Sequence, residues 1–188
     1  MSTGSRIPTR RPWGLTGSAR AFCAGFDLKD PEGRARDTLS VGERIHKQRL
    51  GPKMCRAWQE MDQVTIAAIE GHCVGGGAAL VVSLDFRTCG RSAHFRIPEI
   101  ELGMNMSWQS VPRMLHLMGP ARTKQAVILA DQRISAAEAY EWRLVEEVAD
   151  ATRRTLGQLR ELSERFARLA SNENIGRVEH ILAHLESS

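Results

Sequence analysis

The sequence predicts an α/β protein, on three observations. Short β-branched runs such as VTIAAI (64–69) are handed on to stretches with helical spacing. Helix-entry chemistry recurs between them. An apolar stripe at spacings of three and four then marks a long helix near the C-terminus. In chain order, MSTGSRIPTRRPW shows no periodicity and is read as an irregular, disordered start. FCAGFDL follows, and DPEGRARD is a polar loop by composition. Residues 40 to 61 have a helical pattern with an expected break at Gly51-Pro52, because proline disfavours helix in the residue before it. VTIAAI reads as a buried strand, AALVVSL as a helix, and DFRTCG and AHFRI as two more short strands. Helices are expected over Ser107 to Met118 and Pro120 to Ala130, with Gly119 at the exit of the first and Pro120 in the first turn of the second. Ser135 and Glu138 form a capping box before AAEAYEW, and RLVEEV reads as a strand. Leu156, Leu159, Leu162, Phe166 and Leu169 make the final stripe.

With 188 residues, 42% hydrophobic and 26% charged, the chain suits one globular domain. The net charge of +4 fits a phosphate-bearing ligand and equally a solvated basic surface. Scattered arginines and no zinc-finger spacing argue against nucleic acid, and no apolar run is long enough for a membrane span. Cys23, Cys55, Cys73 and Cys89 are far apart with no C-x-x-C pair, so reduced thiols in a cytoplasmic protein are expected rather than disulfides or zinc. His180 and His184 share a helical spacing but lack a third ligand, so no metal is assigned.

GHCVGGGAAL (71–80) sets three glycines at the start of a helix, where each costs roughly 0.5–1 kcal/mol against alanine. A helix start offers backbone N–H groups without intrahelical partners, suited to a phosphate or to an oxyanion formed during reaction. Close packing of the helix on its strand explains the glycines equally well. Neither a P-loop nor a dinucleotide fingerprint is present.

ARAFCAGFDL (19–28), IAAIEGHCVGGGAAL (66–80), FRIPEIELGM (95–104) and ILADQRISAAEAYEWRLVEEV (128–148) occur in order, and together they resemble the enoyl-CoA hydratase/isomerase (crotonase) family over residues 14 to 170. The resemblance implies a spiral of ββα units followed by a C-terminal helical region. It implies an oxyanion hole from the backbone N–H groups of Phe26 and Gly76, gripping the thioester oxygen of an acyl-CoA. Substrate contacts would come from Ala24, Phe26, Asp27, Leu28, Lys29 and Gly76. Coenzyme A enters only as part of the substrate, with no separate cofactor.

Family hydratases use two glutamates. The second matches Glu99, but the first falls at Ala79, which cannot hold or deprotonate water. A single acid/base at Glu99 fits movement of a double bond between positions 3 and 2 better than hydration. The alternative is a catalytically impaired acyl-CoA-binding fragment or pseudoenzyme. Ser107 lies where family dehalogenases carry a nucleophile. As a hydrolase nucleophile it would need His94 or His116 as base, and a helix cap is the plainer reading. Trp108 belongs to the acyl pocket or the core. The resemblance also implies strands before Leu15 and helices beyond Ser188, so the expected organisation is an irregular 1–13, a core at 14–150 with its N-terminal strands missing, and incomplete C-terminal helices at 151–188. A homo-oligomer, trimer or dimer of trimers, is what the family implies.

Overall fold

The structure, a computed structural model, describes residues 12–18, 20–27, 29, 38–130, 133–150, 161 and 164. The chain winds through three β-β-α turns: β1 (Trp13–Thr16), β2 (Ala21–Cys23) and α1 (Val41–Gln59); β3 (Thr65–Ile69), β4 (His72–Val74) and α2 (Gly76–Val81); β5 (Phe86–Gly90), β6 (His94–Arg96) and α3 (Ser110–Ile128). β7 (Ile134–Ser135), α4 (Ala136–Glu141) and β8 (Glu147–Ala149) follow. The first strand of each turn joins one sheet, ordered β1-β3-β5-β8, and the second joins another, ordered β2-β4-β6-β7. All pairings are parallel except β6 with β7. The α/β expectation and the ββα repeat both hold.

VTIAAI shows no alternation because β3 lies between two strands and is buried along its whole length. Ile69, Phe95, Ile97, Met114 and Leu144 carry the core between the sheets and α3. At the far edge, the buried Arg87 of β5 donates to the carbonyls of Leu84 and Leu144 and pairs with Glu146, tying β8 to the sheet.

The Ser135–Glu138 capping box forms, and a second one, Ser40–Glu43, opens α1. Gly119 takes φ +72° and separates the two straight halves of α3, in line with the expected exit and re-entry. Three expectations are corrected. α1 continues through Pro52, because Gly51 packs its bare backbone against the Trp108 ring and holds the helix in place despite the lost N–H. α3 begins at Ser110 with Gln109 as its N-cap, and Ser107 contributes only its carbonyl, accepting from the Ser110 N–H at 3.2 Å. RLVEEV is a strand only from Glu147, since Leu144 and Val145 first turn the chain off α4 by bonding to the Ala139 carbonyl. The stripe from Leu156 to Leu169, and His180 and His184, lie outside the described residues. Among the described residues no helix is long and apolar enough to cross a membrane.

Candidate active site

β2, β4 and β6 are neighbours in one sheet and run parallel, so their C-terminal ends meet. That is the end of a parallel sheet where sites form. Cys23 stands opposite Cys73 and Val74 opposite Arg96, and the three chains leaving these strands carry Ala24 to Phe26, Gly75 to Gly77, and Glu99. The Gly75 N–H donates to the Arg96 carbonyl at 2.9 Å, locking the glycine turn to the exit of β6. Three segments distant in sequence are thus brought together by register alone.

Each glycine of the run has its own reason. Gly75 takes φ +56° and ψ −115°, a conformation that side-chain-bearing residues rarely adopt, and a Cβ there would lie 3.1 Å from Glu99 Oε1. A Cβ on Gly76 would lie 2.7 Å from Trp108 Cη2, and one on Gly77 would lie 2.6 Å from Cys23 Cβ. Gly75 therefore faces the carboxylate, Gly76 faces an indole, and Gly77 seats α2 on β2. Close packing on a protein neighbour thus accounts for each of the three glycines. The first bond of α2 is Ala79 N–H to Gly75 O at 3.0 Å, so the N–H groups of Gly76, Gly77 and Ala78 precede the helical ladder. With six residues, α2 has little macrodipole, and any stabilisation of negative charge there rests on these N–H groups.

Glu99 opens one 3-10 turn, Glu99–Leu102, which Gly103 closes at φ +66°. The Met104 N–H donates to the Glu99 carbonyl at 2.9 Å, and Arg96 reaches Glu101 at 2.6 Å. This frame holds the Glu99 side chain half-buried, with Oε2 sealed from solvent and unpartnered among the described residues. Burial pushes its carboxyl above the ordinary 4.5, against a smaller downward pull from a backbone hydrogen bond. A proton-hungry carboxyl beside a glycine turn is suited to proton transfer.

Phe26 is 53% exposed, after Gly25 at φ +91°, whose Cβ would lie 3.4 Å from the Val74 carbonyl. Ala24, Asp27 and Lys29 are also exposed. The Lys29 N–H donates to Asp27 Oδ1 at 2.8 Å, so Asp27 shapes this turn. Leu28 lies outside the described residues. Ala79 is 2% exposed and sits in the core, with the Cys55 thiol directed at its carbonyl.

The Ser107 alternative finds no geometric support. His94 Nε2 lies 2.6 Å from His72 Nδ1, His116 Nδ1 lies 2.7 Å from the Pro112 carbonyl, and no hydrogen bond joins either ring to Ser107. Sequence reasoning missed Gly51 and Arg113, which hold Trp108 in place. The Gly51-Pro52 pair carried a signal, but it read as a helix break. All four cysteines are free thiols.

The chain matches the enoyl-CoA hydratase/isomerase family over residues 14–184. It is 32% identical over 171 residues to a crotonyl-CoA hydratase from Syntrophomonas wolfei, covering 86% of this chain and 64% of that protein. Over 158 residues it is 31% identical to a carnitinyl-CoA dehydratase from Salmonella agona, covering 82% and 56% of the two. The crystal structure of an enoyl-CoA hydratase from Bacillus anthracis superimposes with a TM-score of 0.75 at 30% identity, over 86% of this chain and 60% of that one. The chain thus spans less than two thirds of the length of these relatives. With the family match covering most of the chain and the fold shared with these structures, the chain belongs to the enoyl-CoA hydratase/isomerase family.

Proposed function

We propose that this chain acts on acyl-CoA thioesters and moves a double bond from position 3 to position 2 more readily than it adds water. The observation that carries this reading is the carboxyl of Glu99, with one oxygen buried and unpartnered among the described residues, beside the Gly75-Gly76 turn, while the position of the first glutamate of the family hydratases is the buried Ala79. The Glu99 carboxylate takes a proton from C2 of a 3-enoyl thioester. The electron pair spreads over the dienolate to the thioester oxygen, which the N–H groups of Phe26 and Gly76 stabilise. Protonated Glu99 then returns the proton to C4, leaving the double bond between C2 and C3. Burial helps the second half, because the group holds its proton long enough to deliver it.

Ala24, Phe26, Asp27, Leu28 and Lys29 would run along the CoA moiety, with the Lys29 ammonium exposed to meet a phosphate. The family resemblance supports a homo-oligomer, a trimer or dimer of trimers, and a cytoplasmic setting is part of the same reading. Wild-type conversion of 3-butenoyl-CoA to the 2-enoyl thioester should fall about 10²–10⁴-fold in Glu99→Gln. Turnover that survives this substitution removes Glu99 from its role. A wild-type chain that binds acyl-CoA without turning it over favours the acyl-CoA-binding pseudoenzyme.

A further inference from the structure

One indole fills a gap between two helices. The pyrrole edge of Trp108 lies against Gly51 of α1, where a Cβ would stand 2.0 Å from Cε2 and 2.3 Å from Nε1. Its benzo edge lies against Gly76, where a Cβ would stand 2.7 Å from Cη2 and 2.8 Å from Cζ3. Both seats are bare backbone, and the ring is half-buried. Its polar N–H edge is turned to α1, so the edge beside the glycine turn is hydrocarbon.

The backbone beneath is strained. Trp108 has φ +24° and Gln109 φ +57°, conformations that are outliers for bulky side chains. Arg113 Nη1 holds this turn by donating to the carbonyls of Trp108 and Gln109, each at 2.9 Å, while its Nε reaches Gln59 Oε1 at 3.1 Å and so anchors the turn to α1. If the ring only filled space, alanines at 51 and 76 with a smaller, relaxed residue at 108 would serve. Instead two glycines make room for one large ring over a strained turn, and strain of this kind clusters at active sites and ligand clamps.

We propose that the Trp108 benzo edge is the wall that ends the acyl pocket beside Gly76, restricting the site to short, apolar acyl chains. This rests on the acyl-CoA reading above. The thioester carbonyl is gripped on the backbone side of the turn, and Glu99 stands on the Gly75 side. A chain continuing past Gly76 meets hydrocarbon that cannot move away, because Gly51 backs it. The same wall keeps water from the carbon that receives the proton.

The test is calorimetric binding of butanoyl-CoA and decanoyl-CoA to the full chain and to Trp108→Ala and Trp108→Leu, with folding checked by circular dichroism and melting. Wild type should bind the butanoyl ester at least as tightly as the decanoyl ester. In the variants the ratio of the two dissociation constants should move toward the long chain by about tenfold or more, as two or more extra methylenes find apolar contact. A merely structural tryptophan would weaken both esters together. An unchanged ratio in a folded variant, or a wild-type preference for decanoyl-CoA, overturns this inference while acyl-CoA binding still stands. A wild-type chain that binds neither ester overturns the acyl-CoA reading, and this inference with it.

Discussion

Replacing Glu99 with glutamine should raise stability at neutral pH while activity collapses. The buried Oε2 has no partner among the described residues, and burial raises the proton affinity of the folded-state carboxyl. An unsatisfied buried polar atom costs about 1–3 kcal/mol, and more when charged; glutamine leaves an unpaired atom in place and removes only the added cost of the charge. The side chain is half-buried, so solvent screening argues for the lower figure, about 1 kcal/mol recovered by a neutral amide. For a chain of this size that corresponds to about 2–4 °C in Tm. The pH dependence gives the sign. A carboxyl with a raised folded-state pKa binds its proton more tightly folded than unfolded, so wild type loses stability as pH climbs from the ordinary 4.5 through the raised value. Glutamine has no such loss. The advantage of Glu99→Gln should be near zero below pH 4.5 and reach its plateau above the raised pKa. Thermal unfolding of both proteins in buffers from pH 4 to 8 reads it directly. A constant offset across that range, or a variant less stable at pH 7, would refute the claim that the carboxylate is held under strain for its chemistry.

Gly76→Ala would drive a methyl into Trp108 at 2.7 Å; melting should show a loss of about 1–3 kcal/mol, with turnover lowered as well. Gly51→Ala meets the same ring at 2.0–2.4 Å and should cost more, and Trp108→Ala in the same chain should return part of that loss in a double-mutant cycle. Ala79→Glu places a carboxyl in the core at a loss of about 3 kcal/mol or more, yet it should raise hydration of a 2-enoyl-CoA; no gain in 3-hydroxyacyl product counts against the assignment of position 79. The pH profile of kcat/KM for 3-enoyl-CoA should rise through a midpoint above 4.5, as Glu99 ionises to become a base.

Local signals carried the elements well. The Ser135–Glu138 box and the Gly119-Pro120 punctuation depend on neighbours within a turn, so they were legible one residue at a time. The Gly51-Pro52 pair misled for the opposite reason. Its helix is kept by Trp108, a contact from a distant turn that no local preference contains. RLVEEV likewise has strand composition, but its first half is spent leaving α4.

At the site, GHCVGGGAAL announced that a backbone must be approached closely, and the order of β2, β4 and β6 turned that into a place. What remained hidden was the partner of each glycine. Glu99, Trp108 and Cys23 reach the run from three other segments: the parallel register of the sheet brings Cys23 and the exit of β6 to it, and Trp108 arrives from the turn before α3 that Arg113 holds. Glu99 could be named from its motif, but its sealed, unpartnered oxygen is a property of packing.

The most direct test follows a label. A 3-enoyl-CoA carrying deuterium at C2, converted by the wild-type chain in ordinary water, should give a 2-enoyl thioester with part of that deuterium at C4, because one shielded carboxyl removes it and returns it. A product with no deuterium at C4, or a 3-hydroxyacyl thioester in its place, would contradict the single-carboxyl account.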